Sequence, residues 1–273
     1  AVAPGRTFTV ALRLRLEDGW HVYWKNPGDS GMATSIAWAL PAGFSAGAIQ
    51  WPHPARIDTG PLTSYGYERE VLLLANLQPP AALAPGESVS IRAKSDWLVC
   101  KEICLPASAD LALELPVAVT APADPRWLSA FGEARARLPA RSRDWQAQAF
   151  HRDGESTLRL VAPAGAPRLD GLAFFPEREG LIRNAERQRF ERTQAGYALH
   201  LKTPAHSAGD TRTLAGVLVA QPDFGTARAL ELDVPIQLAS PARAGARAGL
   251  VTALLLAFGG GICVGADFAE FPD

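Results

Sequence analysis

Little in this 273-residue sequence favours a polyanionic partner: 27 lysines and arginines stand against 28 aspartates and glutamates, for a formal net charge of -1. Without a basic excess, no electrostatic field recruits nucleic acid, and binding must come from local sites. Cysteine is scarce. The three present, Cys100, Cys104 and Cys263, are too few for a disulfide-stapled scaffold and enough for one functional pair. Histidines are few and scattered; His151, His200 and His206 occupy separate segments, match no metal-ligand spacing and are expected at the surface. The opening residues lack the basic-then-apolar pattern of an export signal, so compartment has to be argued by other means. Long apolar runs are missing except at the end, where Ala248 to Ala266 carries no charge. That stretch is near the roughly 20 residues a bilayer requires, and it predicts the start of a membrane span. Two arginines before it, Arg243 and Arg247, are too few to set its topology.

What the sequence has in quantity is alternation. Thr7 to Leu16 reads apolar-polar with period two, as a half-buried strand does. Val89, Ile91 and Ala93 share one face of a later strand, and Leu111, Leu113, Leu115, Val117 and Val119 share one face of another. Turn signals separate the segments: Glu17-Asp18-Gly19, Asn26 to Gly31, Pro41-Ala42-Gly43 and Ala84 to Glu87. Short strands so punctuated predict an antiparallel sandwich. The pattern stops at Ala121 to Pro125, where Asp124 as N-cap and Pro125 at the first helical position predict a short helix over 126–138. It returns at Leu158 to Leu160, Tyr197 to Leu201 and Leu230 to Ile236. At roughly 100 to 150 residues per domain, two domains are the natural count. The reading is all-β: a first sandwich over 1–120, a linker with a short helix over 121–143, a second sandwich over 144–240, and the apolar segment 248–266.

Chemistry concentrates at Asp96 to Pro106, which holds Cys100 and Cys104. A disulfide needs α-carbons within about 7 Å, whereas four residues of extended strand span about 13 Å, so the chain must turn between these cysteines if they pair. A ring closed over so few residues restricts the unfolded chain little, which suits a redox couple better than a staple. Thiolate exchange would need one cysteine reachable; Lys101 favours ionisation and Glu102 opposes it. A structural disulfide and a soft-metal site, such as Cu(I) with Met32 or His21 added by folding, stay open as alternatives. A second cluster, Asp18 to Gly31, places Trp20, Val22 and Trp24 on one strand face and His21, Tyr23 and Lys25 on the other, where His21 and Tyr23 can line a site. A third, Leu62-Thr63-Ser64-Tyr65-Gly66-Tyr67-Glu68, reads as an exposed aromatic loop.

In this order the three clusters resemble the N-terminal periplasmic domain of the DsbD family of thiol:disulfide interchange proteins, and more closely its copper-sensitivity-suppressor (ScsB-type) relatives. The likeness covers roughly Phe8 to Val119. It implies an immunoglobulin-like sandwich in which Cys100 and Cys104 are the redox pair, reduced by a thioredoxin-like donor that is itself fed by the protein's own membrane domain. Electrons then pass to oxidised periplasmic proteins. The resemblance implies no cofactor and no metal, and a location in the periplasm, anchored to the inner membrane. By position Tyr23 is the aromatic beside the pair, and Tyr65 and Gly66 end a loop, Leu62 to Gly66, expected to lie over the cysteines and shield them. Two departures stand out. The cysteines are closer in sequence than in DsbD itself, and Leu62, Thr63 and Ser64 replace the two acidic residues and phenylalanine that open the DsbD cap.

Overall fold

The computed structural model describes residues 1–204 and 212–238. His206, Cys263 and the apolar segment 248–266 lie outside the described residues. Alternating segments of the first half form β1 (Phe8–Arg15), β2 (His21–Gly28), β3 (Ser35–Ala39), β4 (Ser45–Ala46), β5 (Ala55–Thr59), β6 (Leu62–Glu68), β7 (Glu70–Gln78), β8 (Ser88–Cys100) and β9 (Cys104–Pro116). They make two sheets, β1-β7-β4 and β3-β8-β2-β6-β5, with β9 paired along β8. Apolar positions explain why the sheets face one another. Leu14, Val71 and Leu73 from the first sheet and Val22, Trp24, Tyr65 and Tyr67 from the second share one buried cluster. The result is an immunoglobulin-like antiparallel sandwich.

The helix forms where the capping signals stand. The Asp124 side chain accepts from the Arg126 backbone N–H, Pro125 takes the first position of a 3-10 turn, Pro125–Trp127, and α1 (Leu128–Ala136) continues it. Ala134 of α1 packs with Leu72 and Leu74 of β7, and Ala130, Phe131 and Leu138 pack around them, so the helix covers the outer side of that sheet. Among the described residues no helix is long and apolar enough to cross a membrane.

The second half supplies β10 (Gln146–Arg152), β11 (Glu155–Val161), β12 (Gly171–Pro176), β13 (Arg189–Thr193), β14 (Gly196–Lys202), β15 (Thr213–Gln221) and β16 (Ala229–Leu238). They follow one path, β12-β15-β16-β10-β11-β14-β13. Leu172 and Phe174 of β12 nevertheless share a core cluster with Leu158, Leu160, Leu199 and Leu201, from strands well along that path. A flat sheet could not bring them together, so this one curls over its own core. The two halves are also joined. Phe175, Val217 and Ala229 enter the cluster of Trp24 and Tyr65, and the Tyr65 and Phe175 rings meet edge to face at 5.2 Å. Asn26 Nδ2 donates to the Pro176 carbonyl at 2.8 Å. Burial of each such large side chain stabilises by roughly 1.5–3 kcal/mol.

Two expectations need correction. The segment Leu62 to Gly66 is not an exposed loop: it is the start of β6, paired to β5 from Thr59↔Leu62 to Ala55↔Gly66 and to β2 on its other side. Gly60, at φ 60°, makes the tight turn that a two-residue hairpin demands, and two flanking strands then satisfy the backbone. His200 is also not a simple surface residue, since Nδ1 lies 2.8 Å from Glu155 and Nε2 3.4 Å from Glu191, with its side chain 16% exposed.

Candidate functional site

Strands β8 and β9 form a hairpin of thirteen-residue arms, paired from Ser88↔Pro116 to Cys100↔Cys104. At its tip Lys101, Glu102 and Ile103 make the turn, with Lys101 N–H donating to the Ile103 carbonyl at 3.1 Å. The cysteines are therefore opposed across the last rung, Cα to Cα 4.1 Å, and are bonded as a disulfide. Their surroundings differ. Cys100 is 2% exposed, whereas Cys104 is exposed, flanked by Ile103 and Leu105 at 62% and 45%. Of the two bonded residues, Cys104 is the one open to solvent.

Strand β2 runs beside the tip, His21 opposite Cys100 and Val22 opposite Val99. Val22 and Trp24 point into the sandwich core, so His21 and Tyr23 face the cysteine side, their rings edge to face at 5.2 Å. The Tyr23 hydroxyl lies 3.7 Å from Cys104 Sγ. Its ring is held from the other side by the turn after β2: a Cβ on Gly31 would fall 2.2 Å from Tyr23 Cε1, and Gly31 has φ +123°. Gly66 is opposite Tyr23 in the ladder, where a Cβ would meet the Val22 carbonyl at 2.1 Å. Ser64 Oγ donates to the Ser30 carbonyl at 3.3 Å.

Burial pushes the Tyr23 phenol above its ordinary 10.0, against a smaller opposing effect of the Ser64 hydroxyl. It pushes the His21 imidazole below 6.5, against Glu68. Near neutral pH the pair therefore sits beside a protonated phenol and a neutral imidazole. The Lys101 ammonium donates to the Asp18 carbonyl at 3.3 Å.

Of the residues singled out in the sequence, Cys100, Cys104, Tyr23 and His21 converge, and on the neighbouring strand β6 Gly66 stands opposite Tyr23 with Ser64 two residues before it. Tyr65 does not join them. At 1% exposure it is in the core with Trp24, and alternation along β6 aims it away from the cysteines. Leu62 and Thr63 begin the strand, Thr63 N–H donating to Asp29 Oδ2 at 2.8 Å. Asp29, Ser30 and Gly31 belong to a segment that the sequence marks as a turn, and Asn184 stands far from it in the chain. The short-range turn signal was present for the first three; nothing local marks the last.

Residues 1–116 match the family described as thiol:disulfide interchange protein DsbD, N-terminal. Among solved structures, the N-terminal periplasmic domain of ScsB from Proteus mirabilis aligns over 85% of this chain and 90% of that one, at 20% identity and a TM-score of 0.63; this likeness is one of fold. The crystal structure of a protein of unknown function from Porphyromonas gingivalis W83 covers 86% and 93%, at 14% identity and a TM-score of 0.23. No curated protein matches the chain.

Proposed function

From the match of residues 1–116 to the DsbD N-terminal family, we propose that this chain is a periplasmic thiol-disulfide exchange module, a protein-disulfide reductase that works with membrane and thioredoxin-like domains. In this reading 1–120 is the redox domain, 121–143 the linker, 144–240 a second sandwich, and 248–266 a span that anchors the protein to the inner membrane. The observation that carries it is the asymmetry of the hairpin-tip disulfide: an exposed Cys104 with a phenol hydroxyl 3.7 Å from its sulfur, and a buried Cys100.

The exchange runs in balanced steps. A thiolate of a thioredoxin-like donor attacks Cys104 Sγ, a mixed disulfide forms, and Cys100 leaves as a thiolate that takes up a proton. The donor's second thiol then attacks its own partner sulfur, and Cys104 leaves as a thiolate. The donor is oxidised by two electrons and the pair is reduced. Reversing these roles, Cys104 attacks an oxidised client and Cys100 resolves the adduct. Tyr23 stays protonated throughout and donates to the sulfur of Cys104 whenever that sulfur carries charge.

The test is a trap with a potential measurement. Cys100→Ser leaves Cys104 free and without a resolving partner, so it should accumulate mixed disulfides in a periplasm, while Cys104→Ser should accumulate few. The couple should titrate above about -300 mV, the region below which structural disulfides fall. A lower potential, together with no adduct in the Cys100→Ser strain, sinks the reading.

A further inference from the structure

Resting on the exchange reading, we propose that Asn184, from the second half of the chain, is a positioning residue for the disulfide site: it holds the Asp29 carboxylate, which fixes the 29–31 turn against Tyr23 and keeps the Tyr23 hydroxyl at Cys104.

Asn184 is 8% exposed and its polar atoms are engaged. Its Oδ1 accepts from the Tyr65 hydroxyl at 3.0 Å, and its carbonyl accepts from Arg56 Nη1 at 2.8 Å. The Asp29 carboxylate can only accept, so it decides which way the amide faces: Nδ2 donates to Asp29 Oδ1 at 2.9 Å, and Oδ1 is left to accept from the Tyr65 hydroxyl. Burial raises the Tyr65 phenol, so that donor persists across the working pH range. The other carboxylate oxygen of Asp29 takes Thr63 N–H, and Asp29 N–H donates to the Thr63 carbonyl at 2.9 Å.

Asp29 is thus fixed on two sides, and Gly31 follows two residues later. Having no side chain, Gly31 cannot anchor itself; its contact with the Tyr23 ring depends on its neighbours. Ser30 is tied through its carbonyl to Ser64, and Asp29 through Asn184 and Thr63. The path runs Asn184, Asp29, Gly31, Tyr23, Cys104, and its first member comes from a half with no cysteine between residues 121 and 238. That gives the second sandwich a role at a site whose other residues all belong to the first.

A hydrogen bond donated to a thiolate favours the charged form and lowers the thiol pKa. Loosening Tyr23 must therefore raise the pKa of Cys104. The experiment uses the full chain, reduced, and measures iodoacetamide alkylation against pH by mass at the Cys104 peptide, so that Cys100 and Cys263 are counted separately. Tyr23→Phe should move the midpoint up by on the order of one pH unit. Asn184→Ala should move it the same way by no more, and the double variant should move no further than Tyr23→Phe alone. Asp29→Asn, a gentler change that keeps one carbonyl oxygen, should shift it in the same direction, and it carries the test if Asn184→Ala fails to fold. A wild-type profile in folded Asn184→Ala or Asp29→Asn overturns the proposal, as does an unshifted Tyr23→Phe or an additive double variant. The profile needs neither donor nor client. A protein that shows these shifts yet exchanges with no thioredoxin-like donor would retain the positioning role and lose the relay.

Discussion

Gly31 sits where its backbone conformation and its neighbour both exclude a side chain: φ is +123° and the Tyr23 ring occupies the Cβ position. Replacing it with alanine forces either the turn or the ring to move. Gly31→Ala should destabilise the fold by about 1–3 kcal/mol, measured by urea unfolding, and should move the pH midpoint of Cys104 alkylation upward by drawing the Tyr23 hydroxyl away from the sulfur. Tyr65 shows the reverse case, in which a residue expected near the cysteines belongs to the core. Its ring packs on Phe175 and its hydroxyl meets Asn184, so Tyr65→Ala should cost about 3–5 kcal/mol, the range for emptying a buried aromatic site. A change below 1 kcal/mol in the urea midpoint analysis would restore the exposed-loop reading of this segment.

Among the elements, the β8–β9 hairpin and β2 do most to build the site. The hairpin brings two cysteines, four residues apart in sequence, to opposite sides of one rung, so pairing follows from register alone. Strand β2 is buried on both faces, one turned to the sandwich core and the other to the disulfide, which is why His21 and Tyr23 are as buried as Val22 and Trp24. The pairing of β2 with β6 slips between Tyr23 and Gly28. Strand character thereby runs on through Asn26-Pro27-Gly28, where the sequence signals a turn, and the chain leaves the sheet only at Asp29.

For the whole molecule, buried histidines decide how stability responds to acid. Burial lowers His53 from its ordinary 6.5, with the nearby Arg137 and Arg228 acting the same way and the Pro54 backbone opposing; His21 is lowered too. A base whose folded pKa lies below its unfolded value binds fewer protons in the native state. Its contribution is complete above pH 6.5 and is lost as pH falls through the lower folded value. Carboxylates lowered by partners, Asp58 through Thr63 and Glu155 through Lys202, act in a separate window beneath their ordinary 3.8 and 4.5. The urea midpoint should therefore begin to fall below about pH 6.5, and His53→Gln should flatten the upper part of that slope. A midpoint unchanged between pH 7 and 5 in the parent protein rules this out.

The sequence by itself determined the clearly alternating strands, the capped helix and the division of β2 into two faces, because period-two alternation, an Asp-Pro cap and side-chain direction are local properties that a few neighbouring residues settle. It also required a turn between Cys100 and Cys104 if they pair, since a bond between them is sterically impossible on a straight strand. Tertiary structure alone decided that Leu62 to Glu68 is an interior strand, because its flanking partners, β5 and β2, differ widely in sequence distance and no local pattern reports which edges will be covered. Tertiary structure also brought Asn184 to Asp29. Their separation of 155 positions is bridged by the shared burial of Trp24, Tyr65 and Phe175, a packing that depends on which faces of two separate sheets are left apolar and complementary once each has formed.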